Sequence, residues 1–134
     1  GPTQVIENLK KEPGNEFLRD IRWVDGSGLS RYNLIRPKDF IHILELLAKE
    51  VAPDRLYTLL PEASKTGTMR NVQDLNPGVR MWAKSGSYGN TYDLSGYYLT
   101  KDGKTLAFSV LSNLGNAPVR DIKKSVVEFL KAIH

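Results

Sequence analysis

Apolar residues recur along this chain first at helical spacing, then at strand spacing, then at helical spacing again. Val5, Ile6 and Leu9 share one side of a short helix predicted over residues 3–11, which Pro13-Gly14 stops. Residues 18–24 read as a short strand, followed by the polar, glycine-bearing loop Asp25-Gly26-Ser27-Gly28-Leu29-Ser30-Arg31. Pro37 suits the first turn of a helix, with Asp39 near its positive end. Phe40, Ile43, Leu44, Leu47 and Val51 then form a helical stripe expected to be buried. Lys38, His42, Glu45 and Lys49 fall on the opposite face, so His42 reads as a solvated surface histidine rather than a general base. A second short helix is expected around residues 54–60, ending at Pro61. Residues 62–78 hold few core formers and several turn formers, predicting a long, partly irregular loop of the kind that often carries function.

The last third is patterned more sharply. Residues 79–84 alternate, with Val79, Met81 and Ala83 on one side and Arg80, Trp82 and Lys84 on the other. Residues 94–100 and 105–113 are two further strands, rich in aromatic and β-branched side chains. Between them Lys101-Asp102-Gly103-Lys104 supplies the positive φ angles of a tight hairpin turn. Pro118 opens a terminal helix lined on one face by Val119, Ile122, Val126, Phe129 and Ile133. Three antiparallel strands with helices packed on them predict an α+β fold.

Composition narrows the function classes. The 134 residues, 40% hydrophobic and 25% charged, match one ordinary globular domain. The net charge of +4 suggests nucleic acid, but residues 1–83 carry 12 basic and 11 acidic groups and residues 84–134 carry 7 and 4. With opposite signs interleaved and no block of like charge, a nucleic-acid partner is not expected. The absence of cysteine excludes disulfides and thiolate-held metals, and two histidines, His42 and His134, make a histidine metal site improbable. No apolar run is long enough for a membrane span, and no cofactor is called for. The chain opens Gly1-Pro2-Thr3 rather than on Met, which raises the expectation of a cut end of something longer.

None of the nine serines has a lysine three residues on or an asparagine two residues on, so Ser-x-x-Lys and Ser-x-Asn are both missing, as is Gly-x-Ser-x-Gly. The chain therefore holds no recognisable nucleophile–base pair. It does hold Lys84-Ser85-Gly86 at the expected end of a strand, followed by Ser87. A fixed positive charge, a hydroxyl donor and a glycine that admits a close backbone can together hold a carboxylate. Taken alone, the same trio also describes a strand running into a turn.

The segment from Asp25 to Arg31, with Asn33-Leu34-Ile35 and Pro37, resembles a signature of the D-alanyl-D-alanine carboxypeptidase/endopeptidase family, the class C low-molecular-mass penicillin-binding proteins. Leu60-Pro61-Glu62-Ala63 and Gly67-Thr68-Met69-Arg70-Asn71 resemble the segment this family places before its last active-site strand. Trp82-Ala83-Lys84-Ser85-Gly86-Ser87 is similar to its Lys-Thr-Gly strand with serine for threonine, and Asp93-Leu94-Ser95-Gly96-Tyr97 continues the likeness. The resemblance covers roughly residues 18–134.

What the resemblance implies is a penicillin-binding-protein/serine β-lactamase-like transpeptidase fold. It also implies acyl-enzyme chemistry on a serine, peptidoglycan stem peptides ending in D-Ala-D-Ala as substrate, β-lactams as inhibitors of the parent, and a periplasmic location. In that family the nucleophile and second motif lie upstream of the Asp25–Arg31 segment. Residues 1–134 are therefore expected to be one domain that is the C-terminal part of a larger catalytic domain, inactive alone. Lys84 and Ser85 would bind the terminal carboxylate, Gly86 would allow close approach, and the Ser87 N–H would form half of the oxyanion hole. Arg31 would pair with the carboxylate of a diamino-acid side chain, although a loop-bracing role is equally open. Ser27 and Gly28 are expected to shape their loop rather than do chemistry. Lys65-Thr66-Gly67 spells the family tripeptide more literally, but no strand pattern leads into it, so position favours Lys84. The alternative is a non-catalytic module that binds peptidoglycan peptides without cleaving them.

Overall fold

Two turn sequences bend the last third of the chain into one antiparallel ribbon. In the computed structural model, which describes residues 1–72, 76–113 and 116–132, strand β1 runs Arg80–Tyr88, β2 Thr91–Leu99 and β3 Thr105–Ser112. They pair in the order β1-β2-β3. Gly89-Asn90 makes the first turn as a two-residue loop between the paired residues Tyr88 and Thr91, with Gly89 at φ +56°. A glycine at the first central position is what a primed two-residue turn requires. The second turn departs from expectation in detail. Gly103 alone has a positive φ, +82°, and Thr100 N–H donates to the Lys104 carbonyl, which makes Lys101-Asp102-Gly103 a three-residue loop. Thr100 Oγ1 accepts from Lys104 N–H at 2.9 Å and closes it.

The chain divides into two compact units, Gly1–Phe40 and Ile41–His134. In the second unit the sheet is covered on both faces. On one face Met81, Ala83, Tyr92, Leu94, Tyr98 and Phe108 pack against Ile122, Val126 and Leu130 of the terminal helix, with Ala63, Met69 and Val72 completing the cluster. Leu44, Leu56 and Tyr97 form the core of the other face, and the Tyr97 hydroxyl donates to the Leu44 carbonyl at 2.6 Å. The terminal helix spans Val119–Ala132. Its buried line is Ile122, Val126 and Leu130, while Phe129 stands 54% exposed and Ile133 lies outside the described residues. The expected stripe was therefore rotated: the i, i+4, i+8 line continues to Leu130, and Phe129 falls off its flank.

In the first unit helix α1 spans Pro2–Lys11 and buries Ile6, while Val5 of the expected stripe is exposed. Residues 18–24 are not a strand. A 3-10 turn occupies Glu16–Asp20, and only Arg22 pairs, in a single bridge to Leu34. Local bonds from Leu18 N–H to Asn15 and from Ile21 N–H to Leu18 satisfy the backbone that a strand would have left seeking a partner. Helix α2 spans Pro37–Glu50. Asp39, 4% exposed, reaches back to the Arg36 N–H at 3.0 Å, the acidic half of a capping box. Arg36 Nε donates to the same carboxylate at 2.9 Å and its Nη2 reaches Asp20 at 3.1 Å. Of the expected α2 stripe, Leu44 is buried, Phe40, Ile43 and Val51 are half-buried, and Leu47 is exposed. Lys38, His42, Glu45 and Lys49 are all exposed. Helix α3, Pro53–Thr58, is shorter than its sequence suggested, and α4 is the terminal helix. Among the described residues no helix is long and apolar enough to cross a membrane.

Candidate active site

The outer edge of β1 is the centre of interest, and its first half is occupied. Ala83 N–H donates to the Pro61 carbonyl at 3.0 Å, and Ala63 N–H to the Met81 carbonyl at 2.9 Å. Residues 61–63 thus line β1 as far as Ala83. Backbone groups alternate sides along a strand. Since the Ala83 amide faces outward, the amides of Ser85 and Ser87 face the same outer edge, beyond residues 61–63. This corrects one expectation: Lys84 does not end the strand, because β1 continues four residues to Tyr88. Lys84-Ser85-Gly86-Ser87 is mid-strand, paired in register with Ser95, Leu94, Asp93 and Tyr92.

Alternation also separates Lys84 and Ser85, whose side chains leave opposite faces of the strand. They reach common ground at the edge. Lys84 Nζ donates to the Ser85 carbonyl oxygen, which points outward with its amide. Ser85 is half-buried, and its hydroxyl donates to Thr68 Oγ1 at 3.0 Å. Gly86 has open space on its side chain's side: an added Cβ would meet only Asp93 Cβ, at 3.8 Å. Ser87 is exposed. An anion lying along this edge would meet an ammonium, a hydroxyl and outward amides together.

The segment before β1 is braced by one carboxylate. Glu62 accepts from Arg80 Nε at 2.8 Å and from Lys65 Nζ at 2.9 Å. The Arg80 bond foremost, then Lys65, hold its carboxyl below the ordinary value against the opposing effect of burial. The Arg80 guanidinium lies 4.5 Å from the Trp82 ring centroid, and Tyr57 stacks on that ring at 4.1 Å. A cleft of about 440 Å³ opens here, lined by Asp54, Tyr57, Glu62, Thr66, Arg80 and Trp82 among others. The competing tripeptide sits in this brace. Lys65 pairs with Glu62, Thr66 Oγ1 accepts from the Glu62 N–H at 2.8 Å, and Gly67 turns the chain at φ +52°. Each of the three has a local structural task.

Thr68, the next residue, entered the sequence reading only as part of a family-like segment, with no role of its own. It belongs to a short 3-10 turn, Gly67–Met69, with no periodicity to mark it, and its contact with Ser85 joins residues far apart in sequence. Asp93, opposite Gly86, is half-buried, and burial pushes its carboxyl pKa up although it accepts from the Ser112 N–H at 3.1 Å.

Arg31 belongs to the first unit, on an exposed loop whose frame is built by its neighbours. Asp25 Oδ1 accepts from Ser27 N–H at 2.9 Å and Ser27 Oγ at 2.7 Å, while Asn33 Oδ1 accepts from Val24 N–H at 2.7 Å. Gly28 takes φ +72°. Ser27 and Gly28 therefore shape the loop, as expected from the sequence. Among the described residues no group of three or more His, Asp or Glu side chains is arranged to hold a metal ion.

A three-stranded antiparallel sheet with helices on both faces and a Lys-Ser-Gly edge strand places this chain in the α+β class that the sequence suggested. The comparisons carry it further. Residues 14–133 match the D-Ala-D-Ala carboxypeptidase 3 (S13) family, and the chain belongs to that family. It is 34% identical over 109 residues to the D-alanyl-D-alanine carboxypeptidase DacB of Haemophilus influenzae, covering 79% of this chain and 22% of that protein. It is 35% identical over 108 residues to the penicillin-sensitive carboxypeptidase A of Dictyostelium discoideum, covering 74% of this chain and 20% of that one. The fold matches part of the crystal structure of penicillin-binding protein 4 (dacB) from Haemophilus influenzae, with a TM-score of 0.65, 26% identity, and coverage of 96% of this chain and 30% of that one. The same relative complexed with a β-lactam matches with a TM-score of 0.65 at 25% identity, over 86% of this chain and 28% of that one. The chain thus spans about a fifth of the length of these curated relatives.

Proposed function

We propose that these residues supply the carboxylate-binding wall of a serine-type D-Ala-D-Ala carboxypeptidase/endopeptidase that trims peptidoglycan stem peptides in the periplasm. The parent's nucleophile lies outside residues 1–134, and this chain is one part of a larger catalytic domain. The carrying observation is the outer edge of β1, where the Lys84 ammonium, the Ser85 hydroxyl and the outward Ser85 and Ser87 amides face one strip of surface. The substrate's terminal carboxylate lies against Lys84 and Ser85, Gly86 lets the peptide backbone approach, and the Ser87 N–H meets the oxygen that gains charge as the serine attacks. The serine displaces terminal D-alanine, leaving an ester on the enzyme that water then hydrolyses. The parent is acylated by β-lactams through the same serine.

Mapping the adduct tests this reading. The full-length protein is incubated with a fluorescent penicillin, and the modified peptide is identified by mass spectrometry. A penicilloyl group on a serine outside residues 1–134, within Ser-x-x-Lys, is the expected result. An adduct on any serine of this chain, or none at all, contradicts the proposal.

A further inference from the structure

We propose that Thr68 is a positioning residue that fixes the rotamer of the Ser85 hydroxyl for carboxylate binding; this rests on the reading of Ser85 given above. Ser85 lacks a β-branch, so its Oγ has three staggered wells available and nothing intrinsic to select one. The selection comes from outside the strand, through the 3.0 Å bond to Thr68 Oγ1. The Thr68 side chain is exposed, but the backbone that carries it is held through its neighbours. The neighbouring Met69 is 0% exposed, and its carbonyl accepts from the Ser64 N–H at 3.1 Å. Ala63, next in line, is bonded to Met81 of β1. Gly67 lies against Pro61, where an added Cβ would come within 3.2 Å of the proline ring. The turn is thus clamped to the strand that carries Ser85.

The bond is also compatible with function when an anion arrives. Ser85 Oγ is the donor and Thr68 Oγ1 the acceptor, which holds the Ser85 oxygen in place at rest. When an anion arrives, the Ser85 hydrogen turns to the carboxylate, a charged and therefore stronger acceptor. A threonine at position 85 would need less help, because β-branching narrows χ1 by itself.

The test is steady-state kinetics of the full-length enzyme on a D-Ala-D-Ala peptide, with Thr68→Val, Thr68→Ser, Ser85→Ala and the double variant Thr68→Val/Ser85→Thr. Losing one neutral hydrogen bond predicts that Thr68→Val raises KM about 3- to 10-fold, with kcat within about 2-fold of the parent. Thr68→Ser keeps the hydroxyl and is expected at the parental KM. The double variant is expected to recover to within about 3-fold of it, since the branched residue restores the rotamer. A general loss of structure would lower kcat per mole of enzyme and would not be rescued by a change at residue 85. Thr68→Ala takes the place of Thr68→Val should the latter fail to fold. If Ser85→Ala raises KM while removal of the Thr68 hydroxyl does not, or if the double variant stays as impaired as Thr68→Val, the positioning role is overturned. An unchanged KM in Ser85→Ala would instead remove the Ser85 reading beneath it.

Discussion

Gly96 is the position where one added methyl group should do the most damage. It lies on β2 opposite Ala83 of β1 and Phe108 of β3. A Cβ there would stand 2.0 Å from the Trp82 carbonyl oxygen, 2.6 Å from Ala83 Cα and 2.9 Å from Ala83 Cβ. Carbon and carbonyl oxygen need roughly 3.3 Å, so the β1 backbone must retreat by more than about an ångström. No rotamer change can relieve this, since the obstacle is backbone. Such a retreat stretches the neighbouring ladder bonds, at the Trp82–Tyr97 and Lys84–Ser95 pairs, beyond hydrogen-bonding length. Overpacking costs about 1–3 kcal/mol and each lost bond about 0.5–1.5 kcal/mol, so with one bond lost at each of the two pairs Gly96→Ala is predicted to lose about 2–6 kcal/mol. With a urea slope of about 1–3 kcal/mol per molar, the midpoint should fall by at least about 0.7 M. The control is Gly86→Ala, ten residues away on the partner strand, where an added Cβ meets its nearest atom at 3.8 Å. Its midpoint should move by less than about 0.5 M, although the methyl group narrows the edge where substrate backbone is proposed to lie. Urea unfolding of the full-length protein, followed by tryptophan fluorescence, reports on the buried Trp82. Equal midpoints for Gly96→Ala and the parent would refute the packing argument.

Two further outcomes follow from buried polar contacts. Arg36 foremost, opposed by burial, holds the Asp39 carboxyl below its ordinary 3.8, so the unfolded chain takes up that proton first as pH falls. The stability this contributes is complete above about pH 5 and disappears as pH drops through the folded value; Asp39→Asn should flatten that part of a stability–pH curve, and an unchanged acid slope would count against the pairing. Tyr97→Phe deletes the buried hydroxyl that donates to Leu44 at 2.6 Å. It should cost about 0.5–1.5 kcal/mol, the worth of one hydrogen bond, because the Leu44 carbonyl lies inside α2 and keeps its helical partner, and an unaltered unfolding midpoint would show that the bond contributes nothing.

Where local chemistry decides a feature, the sequence was readable. Asp102-Gly103 announced its hairpin, and Pro37 with Asp39 announced a helix start, because a turn glycine and a capping carboxylate act within three or four residues. Periodicity was less decisive. Phe129 and Leu130 are adjacent and both apolar, so only the sheet beneath α4 could determine which of them is buried. Residues 18–24 showed apolar character suited to a strand, but a strand needs a partner along its length, and Arg22–Leu34 is a single bridge. The site divided in the same way. That Lys84 and Ser85 lie on a strand was legible from the alternating residues before them and the hairpin after, while the role proposed for them came from the family resemblance. The contact of Thr68 with Ser85 was not legible, since it depends on how a turn folds back on β1, which no spacing rule encodes.

The proposed carboxylate site is the Lys-Ser-Gly of β1, rather than the more literal Lys-Thr-Gly before it. Labelling of the full-length protein with fluorescent penicillin separates the two lysines directly. Lys84→Ala removes a charge-assisted contact worth roughly 1.5–3 kcal/mol, so acylation should fall at least about 10-fold. Lys65 Nζ is engaged with Glu62 at 2.9 Å, so Lys65→Ala should label at close to the parental rate. Loss of labelling in Lys65→Ala with retention in Lys84→Ala would contradict the account.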